Sequence, residues 1–209
     1  MKKIILASGS PRRKDLLNQI GLEHTIMIPD VDEMNYDNLS PIEYVMDLAR
    51  KKAFSIKNKV SEQCIIISAD TVVVHNNKIL GKPVSADDAF LMLNELKNDM
   101  HYVCTGLSIL NVGDNYIDGV DKNCIDPLKF PNSFDEKTLH EKTYVTMRNY
   151  KESEIISYIE SEEPFGKAGA YAIQGRGATL VKEINGDFYT VVGLPIAKVW
   201  EIVQEINGK

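Results

Sequence analysis

Seven residues near the start of the chain, Ser8-Gly9-Ser10-Pro11-Arg12-Arg13-Lys14, combine two hydroxyls, a proline and three cations. They follow the apolar run Lys3-Ile4-Ile5-Leu6-Ala7 and open a helical pattern with Leu16, Leu17 and Ile20 on one face. Proline suits the first helical position, so the arginines fall in the first turn, where a helix presents unbonded N–H groups. A cation there opposes the helix dipole, whereas an anion is favoured. The arrangement becomes favourable when a polyanion lies between Arg12, Arg13 and the backbone N–H groups. The plainer reading is a solvated basic helix start.

Further residues have types that could do chemistry. Asp70 follows the apolar run Cys64-Ile65-Ile66-Ile67-Ser68-Ala69, where a carboxylate needs a partner or a metal. It either serves a ligand beyond a strand end or bonds a neighbouring turn. Asp32 and Glu33 follow a short strand over 24–28 and by default face solvent. Brought near Asp70, Glu33 could share a hard cation with it through oxygen ligands. Gly81-Lys82-Pro83 is a tight turn that presents one lysine, and Lys52 sits mid-helix, where solvent is the default environment. The glycines of Lys167-Ala168-Gly169-Ala170-Tyr171 and Gln174-Gly175-Arg176-Gly177 either admit a planar ligand or mark bends. The chain has no GxxxxGK[ST], GxGxxG or GxSxG motif.

The elements that must position these groups alternate between strand and helix, which predicts an α/β fold. Ser40-Pro41-Ile42-Glu43 is a capping box, and its helix carries Val45, Leu48, Ala49 and Ala53. Residues 64–74 are nearly all apolar, as in a central strand buried on both faces. Asn76-Asn77 is a hairpin turn into Lys78-Ile79-Leu80, and Ser85 caps a helix carrying Ala89, Met92, Leu93 and Leu96. Strands are expected over 102–110 and 143–147, and helices over 152–160 and 196–206. Asn185-Gly186 is expected to join two short strands. Residues 111–141 hold Gly113, Gly119, Pro127, Pro131 and a net charge of −4, and read as an acidic surface insertion.

The 209 residues suffice for one large domain or two lobes, with 44% apolar and 26% charged residues. A net charge of −6 argues against general nucleic-acid or membrane-surface binding, so the cations at 12–14 and 50–52 must act locally. No run approaches a membrane span, and no signal peptide is expected. Cys64, Cys104 and Cys124 form no CxxC, which suits buried thiols in a reducing cytoplasm. His24, His75, His101 and His140 lack metal-ligand spacing.

The order of the motifs is more specific than any one of them. Ser8-x-Ser10-Pro11-Arg12-Arg13, Asp32-Glu33, Ala49-Arg50-Lys51-Lys52-Ala53 and Ser68-Ala69-Asp70-Thr71-Val72-Val73 are followed by Gly81-Lys82-Pro83, Glu163-Pro164, the two Gly-rich runs and Val192-Gly193-Leu194-Pro195. This series resembles that of the Maf family of nucleoside triphosphate pyrophosphatases from about residue 3 to 206, apart from the insertion. The resemblance implies an elongated mixed sheet flanked by helices, in a single domain of two lobes around a nucleotide cleft. It also implies a homodimer, and the charge and cysteine usage above add the expectation of a cytoplasmic protein with no nucleic-acid or membrane partner. Ser8, Arg12, Arg13, Lys52 and Lys82 would bind the phosphates of a nucleoside triphosphate. Glu33 and Asp70 would hold Mg²⁺ or Mn²⁺, and Asp70 would activate water. Arg12, Thr71 and Gln174 look like the specificity set of the dTTP/UTP subgroup, and a Gln amide matches the imide edge of thymine or uracil. Two other readings stand beside this one: a pyrophosphatase for modified nucleotides, and a nucleotide-binding regulator of cell division that hydrolyses slowly.

Overall fold

The computed structural model describes residues 2–32, 39–113 and 134–208. The elements in chain order are β1 (Lys3–Leu6), α1 (Pro11–Gln19), β2 (Thr25–Ile26), α2 (Pro41–Lys57), β3 (Cys64–His75) and β4 (Lys78–Leu80). Then come α3 (Ala86–Leu96), β5 (Met100–Val112), β6 (Phe134–Met147), α4 (Glu152–Glu160), β7 (Val181–Asn185), α5 (Phe188–Val192) and α6 (Ile196–Ile206). Short 3-10 turns span Ala168–Ala170 and Gly175–Leu180.

The seven strands form one mixed sheet in the order β2-β1-β3-β5-β6-β7, with β4 also on β3. Strand alternation sorts the core. Ile65, Ile67 and Ala69 share a cluster with Leu16 and Leu17 of α1 and Ile196, Val199 and Val203 of α6. The intervening Ile66, Val72 and Val74 face α2, against Ala53 and Ile56 and against Val45 and Leu48. A further cluster joins Val73, Val103, Val145 and Met147 to α3 and α4 through Leu93, Leu96 and Ile155.

One edge of β3 is paired by β5 along nearly its whole length. The other edge is shared. β1 runs parallel to it as far as Leu6 opposite Ile67, and β4 returns antiparallel from Leu80 opposite Val73. Residues 68–72 of β3 therefore lie in a gap between β1 and β4. The chain leaving β1 enters the Ser8–Ser10 turn, and the chain leaving β4 enters Gly81-Lys82-Pro83, so both loops open beside this gap.

Several expected local features are present. Ser40 and Glu43 form the capping box, with Ser40 Oγ accepting from Glu43 N at 3.3 Å. Ser85 caps α3. Asn76 and Asn77, with φ of 47° and 62°, make the β3–β4 turn.

Other features differ. Gly186 does not lead into a strand. Asp187 accepts hydrogen bonds from Thr190 N (2.6 Å) and Thr190 Oγ1 (2.8 Å), which starts α5 despite its β-prone Phe-Tyr-Thr-Val-Val sequence. Gly193, at φ 119°, ends that helix. The ends of the segment 111–141 are strand, because the β5–β6 ladder runs from Met100 opposite Thr146 to Val112 opposite Phe134. Cross-strand pairing sustains β6 where Glu136, Lys137, His140 and Glu141 disguise it in the sequence. The remainder, 114–133 with Cys124, lies outside the described residues.

Candidate active site

Asp70 lies at the middle of the gap in β3, five residues before the strand ends, rather than at a strand terminus. Alternation turns it toward α2. There Asp70 Oδ1 accepts from Lys52 Nζ at 2.6 Å, and the residues are 9% and 6% exposed. Lys52 is thus not on a solvated helix face. Two features seat α2 closely enough for this contact. Ser68 Oγ donates to the Ala49 carbonyl at 2.5 Å. Gly106, directly opposite Asp70 on β5, leaves room for the helix backbone, since a Cβ there would lie 2.2 Å from the Val45 carbonyl oxygen.

Thr71 points to the other face, toward α1. Arg13 is anchored there by three bonds, from Nε to the Gly193 carbonyl (2.8 Å), from Nη1 to Ser8 Oγ (3.2 Å) and from Nη2 to Thr71 Oγ1 (3.1 Å). Thr105 Oγ1 donates to the Thr190 carbonyl at 2.8 Å, so the Thr71 proton is directed to Thr105 Oγ1, 2.9 Å away. The relay Arg13→Thr71→Thr105→Thr190 ties α1, β3, β5 and α5 together. Ser8 Oγ also accepts from Ser10 N (3.2 Å) and is buried. The first turn of α1 has no acidic residue and no side-chain cap, so its positive end stays available to an anion.

These groups line a cleft of about 520 Å³. Of the residues predicted from sequence, Ser8, Arg12, Arg13, Lys52, Asp70, Thr71, Lys82 and Gln174 all lie on its wall. Glu33 lies outside the described residues. Burial holds the Arg12 guanidinium below its ordinary pKa. Glu163 braces the Gly-rich wall, its carboxylate accepting from Arg176 N (3.0 Å) and Gly177 N (3.3 Å).

Sequence reasoning gave no role to Gly193, Gly106, Lys167 or Tyr171. Gly193, Lys167 and Tyr171 stood in quoted motifs, which was their one signal, and Gly106 carried none. Tyr171 lines the cleft and bonds His101 Nε2 at 2.7 Å.

The donor set can be tested for a hard cation. Among the described residues no group of three His, Cys, Asp or Glu side chains is arranged to hold a metal ion. Asp70 has one carboxylate oxygen engaged by Lys52, and the second takes no hydrogen bond from a described residue. One carboxylate on the wall of a cleft also lined by Arg12, Arg13 and Lys82 fits Mg²⁺ or Mn²⁺ completed by ligand oxygens and water, and does not fit an all-protein cage. No helix among the described residues is long and apolar enough to cross a membrane.

Residues 3–206 match the family model described as Maf-like protein. A curated relative from Thermoanaerobacter sp. (strain X514), named dTTP/UTP pyrophosphatase, is 41% identical over 97% of this chain and 95% of its own. One of the same name from Lachnoclostridium phytofermentans is 40% identical over 99% and 96%. A solved structure, a nucleoside-triphosphatase / dITP/XTP pyrophosphatase from Mycobacterium abscessus, aligns at 11% identity and a TM-score of 0.42 over 99% of this chain and 96% of that one, a distant likeness. With the family pattern matched over nearly its whole length, the chain belongs to the Maf family.

Proposed function

We propose that this protein hydrolyses nucleoside triphosphates, dTTP and UTP foremost, to the monophosphate and pyrophosphate. The observation that carries the reading is the buried Lys52–Asp70 pair in the strand gap, on the wall of a cleft also lined by Arg12, Arg13 and Lys82. The names of the relatives support the choice of bases.

In this reading a water oxygen bonds to the α-phosphorus, the bond from that phosphorus to the α–β bridging oxygen breaks, and pyrophosphate leaves. Asp70 orients the water through its second oxygen and takes its proton, while Lys52 fixes the carboxylate. Arg12 and Lys82 counter the phosphate charge, and Arg13, held by Gly193, Ser8 and Thr71, presents a preorganised guanidinium edge to the cleft. Asp70, with Glu33 and the phosphate oxygens, would hold Mg²⁺ or Mn²⁺. Such an ion neutralises phosphate charge and makes its bound water more acidic. Gln174 offers a donor and an acceptor to the thymine or uracil imide edge. Thr71 acts on selectivity through Arg13, since its hydroxyl is spent within the relay. The reading includes a cytoplasmic homodimer, to be checked by light scattering and fractionation.

The test is pyrophosphate release from dTTP, UTP, CTP, GTP and 7-methyl-GTP, with Mg²⁺, Mn²⁺ or chelator. Metal-dependent release strongest for dTTP and UTP is expected. Preference for another base would overturn the specificity, and no release from folded protein would overturn the activity. Asp70→Asn should lower turnover roughly 10²-fold or more while nucleotide binding persists.

A further inference from the structure

The Gly-rich wall carries a cation that this mechanism leaves unused. Lys167 lines the cleft, and its ammonium donates to the Glu163 carbonyl rather than to a carboxylate. The Glu163 carboxylate is turned away, to Arg176 N and Gly177 N. Burial and then the Arg12 charge lower the Lys167 pKa against the opposing Glu163 charge, and burial lowers that of Arg12. Neither side chain forms an ion pair among the described residues, whereas Lys52 is paired with Asp70 and Arg13 is held by three protein oxygens.

The lysine is also held in place. Gly169 N donates to the Gly81 carbonyl at 3.0 Å, which fastens this wall to the turn bearing Lys82. A Cβ on Gly169 would lie 2.9 Å from the Val73 side chain, and its φ is 65°, so glycine permits the close seating. Two half-buried cations line the one cleft, offset in part by the Glu163 charge, and this balance favours an anionic ligand. The ligand that suits it is multiply charged. The nucleoside half of a substrate offers neutral carbonyls, while the polyphosphate half offers several negative oxygens.

We propose that Lys167, together with Arg12, binds the pyrophosphoryl end of the substrate, the part that departs as pyrophosphate. The proposal rests on the triphosphate-hydrolysing reading above. It adds Lys167 to the substrate-binding residues and gives it a defined half of the substrate.

The experiment compares wild type with Lys167→Met and Lys167→Arg. Calorimetric titration with inorganic pyrophosphate and, separately, with dTMP requires no turnover. The Met variant should bind pyrophosphate about tenfold more weakly and dTMP within about twofold of wild type, with the Arg variant recovering most of the loss. Its unliganded melting temperature should equal or exceed that of wild type, because like-charge repulsion is removed. Unchanged pyrophosphate binding, or an equal loss for dTMP, would overturn the proposal. So would a lowered melting temperature with both ligands weakened, which marks a structural tether. Lys167→Gln takes the place of the Met variant should that one fail to fold. If wild type binds pyrophosphate through Lys167 yet releases none from any triphosphate, the activity reading fails and the polyphosphate site stands.

Discussion

Removing Lys52 would leave the Asp70 carboxylate, 9% exposed, without its cationic partner. Breaking a buried pair from one side costs about 3 kcal/mol or more, so Lys52→Met should lower the urea midpoint accordingly and abolish turnover. Two histidines make a second residue-scale prediction. The His75 ring is buried between Glu95 (2.8 Å) and Asp99 (2.9 Å). Burial disfavours its imidazolium, but the bonds to the two carboxylates outweigh this and raise its pKa. Burial pushes His101 down to about 4, with the charge of His75 adding to the effect. The raised group contributes stability in full below the unfolded value of about 6.5, lost as pH rises through its higher folded pKa. The depressed group contributes above about 6.5 and loses up to ~3 kcal/mol as pH falls toward 4. The windows adjoin, so this pair peaks in stability near pH 6.5. Urea midpoints against pH should show His75→Gln removing the alkaline slope and His101→Gln the acid slope. Slopes that survive both substitutions would refute the assignment.

The position of α2 decides whether Lys52 reaches Asp70. Its start is legible in Ser40-Pro41-Ile42-Glu43, and its apolar face in Val45, Leu48, Ala49 and Ala53. Its depth on the sheet is set by Gly106 and by the Ser68–Ala49 bond. Gly106→Ala forces a Cβ against the Val45 carbonyl, which should cost about 3 kcal/mol and displace Lys52. The expected outcome is lower kcat with folded structure retained. Wild-type kcat and an unchanged melting temperature would show that α2 does not depend on this close approach. At this scale local signals failed where pairing or capping overrode propensity. Residues 134–141 look polar and irregular, yet they form strand because β5 supplies a full ladder. Residues 188–192 look like strand, yet Asp187 nucleates a helix.

Across the whole molecule, the cleft gathers residues from both ends of the chain, from Ser8 to Gly193. A ligand that fills it should stabilise the entire fold by mass action. A non-hydrolysable dTTP analogue at 100 times its dissociation constant, with Mg²⁺, should contribute about 2.7 kcal/mol, or roughly 5–10 °C in melting temperature. Asp70→Asn should retain much of that shift. An analogue that leaves wild-type melting unchanged would argue against a preformed nucleotide cleft.

The sequence by itself determined which chemistry was available and the order in which it came. Hydroxyls and cations at a helix start, a lone acid in an apolar strand and lysines in two further motifs are properties of residue type and spacing. The buried character of β3, the Ser40–Glu43 capping box, the Ser85 cap and the Asn76-Asn77 turn are equally local and were legible for the same reason. Only the tertiary structure decided that β1 and β4 share one edge of β3 and leave Asp70 in a gap between them. It alone turned Lys52 inward, committed Arg13 to Gly193 and Thr71, and set Lys167 and Arg12 on the same cleft. Each of these depends on contacts between residues far apart in the chain, which no local period or propensity encodes.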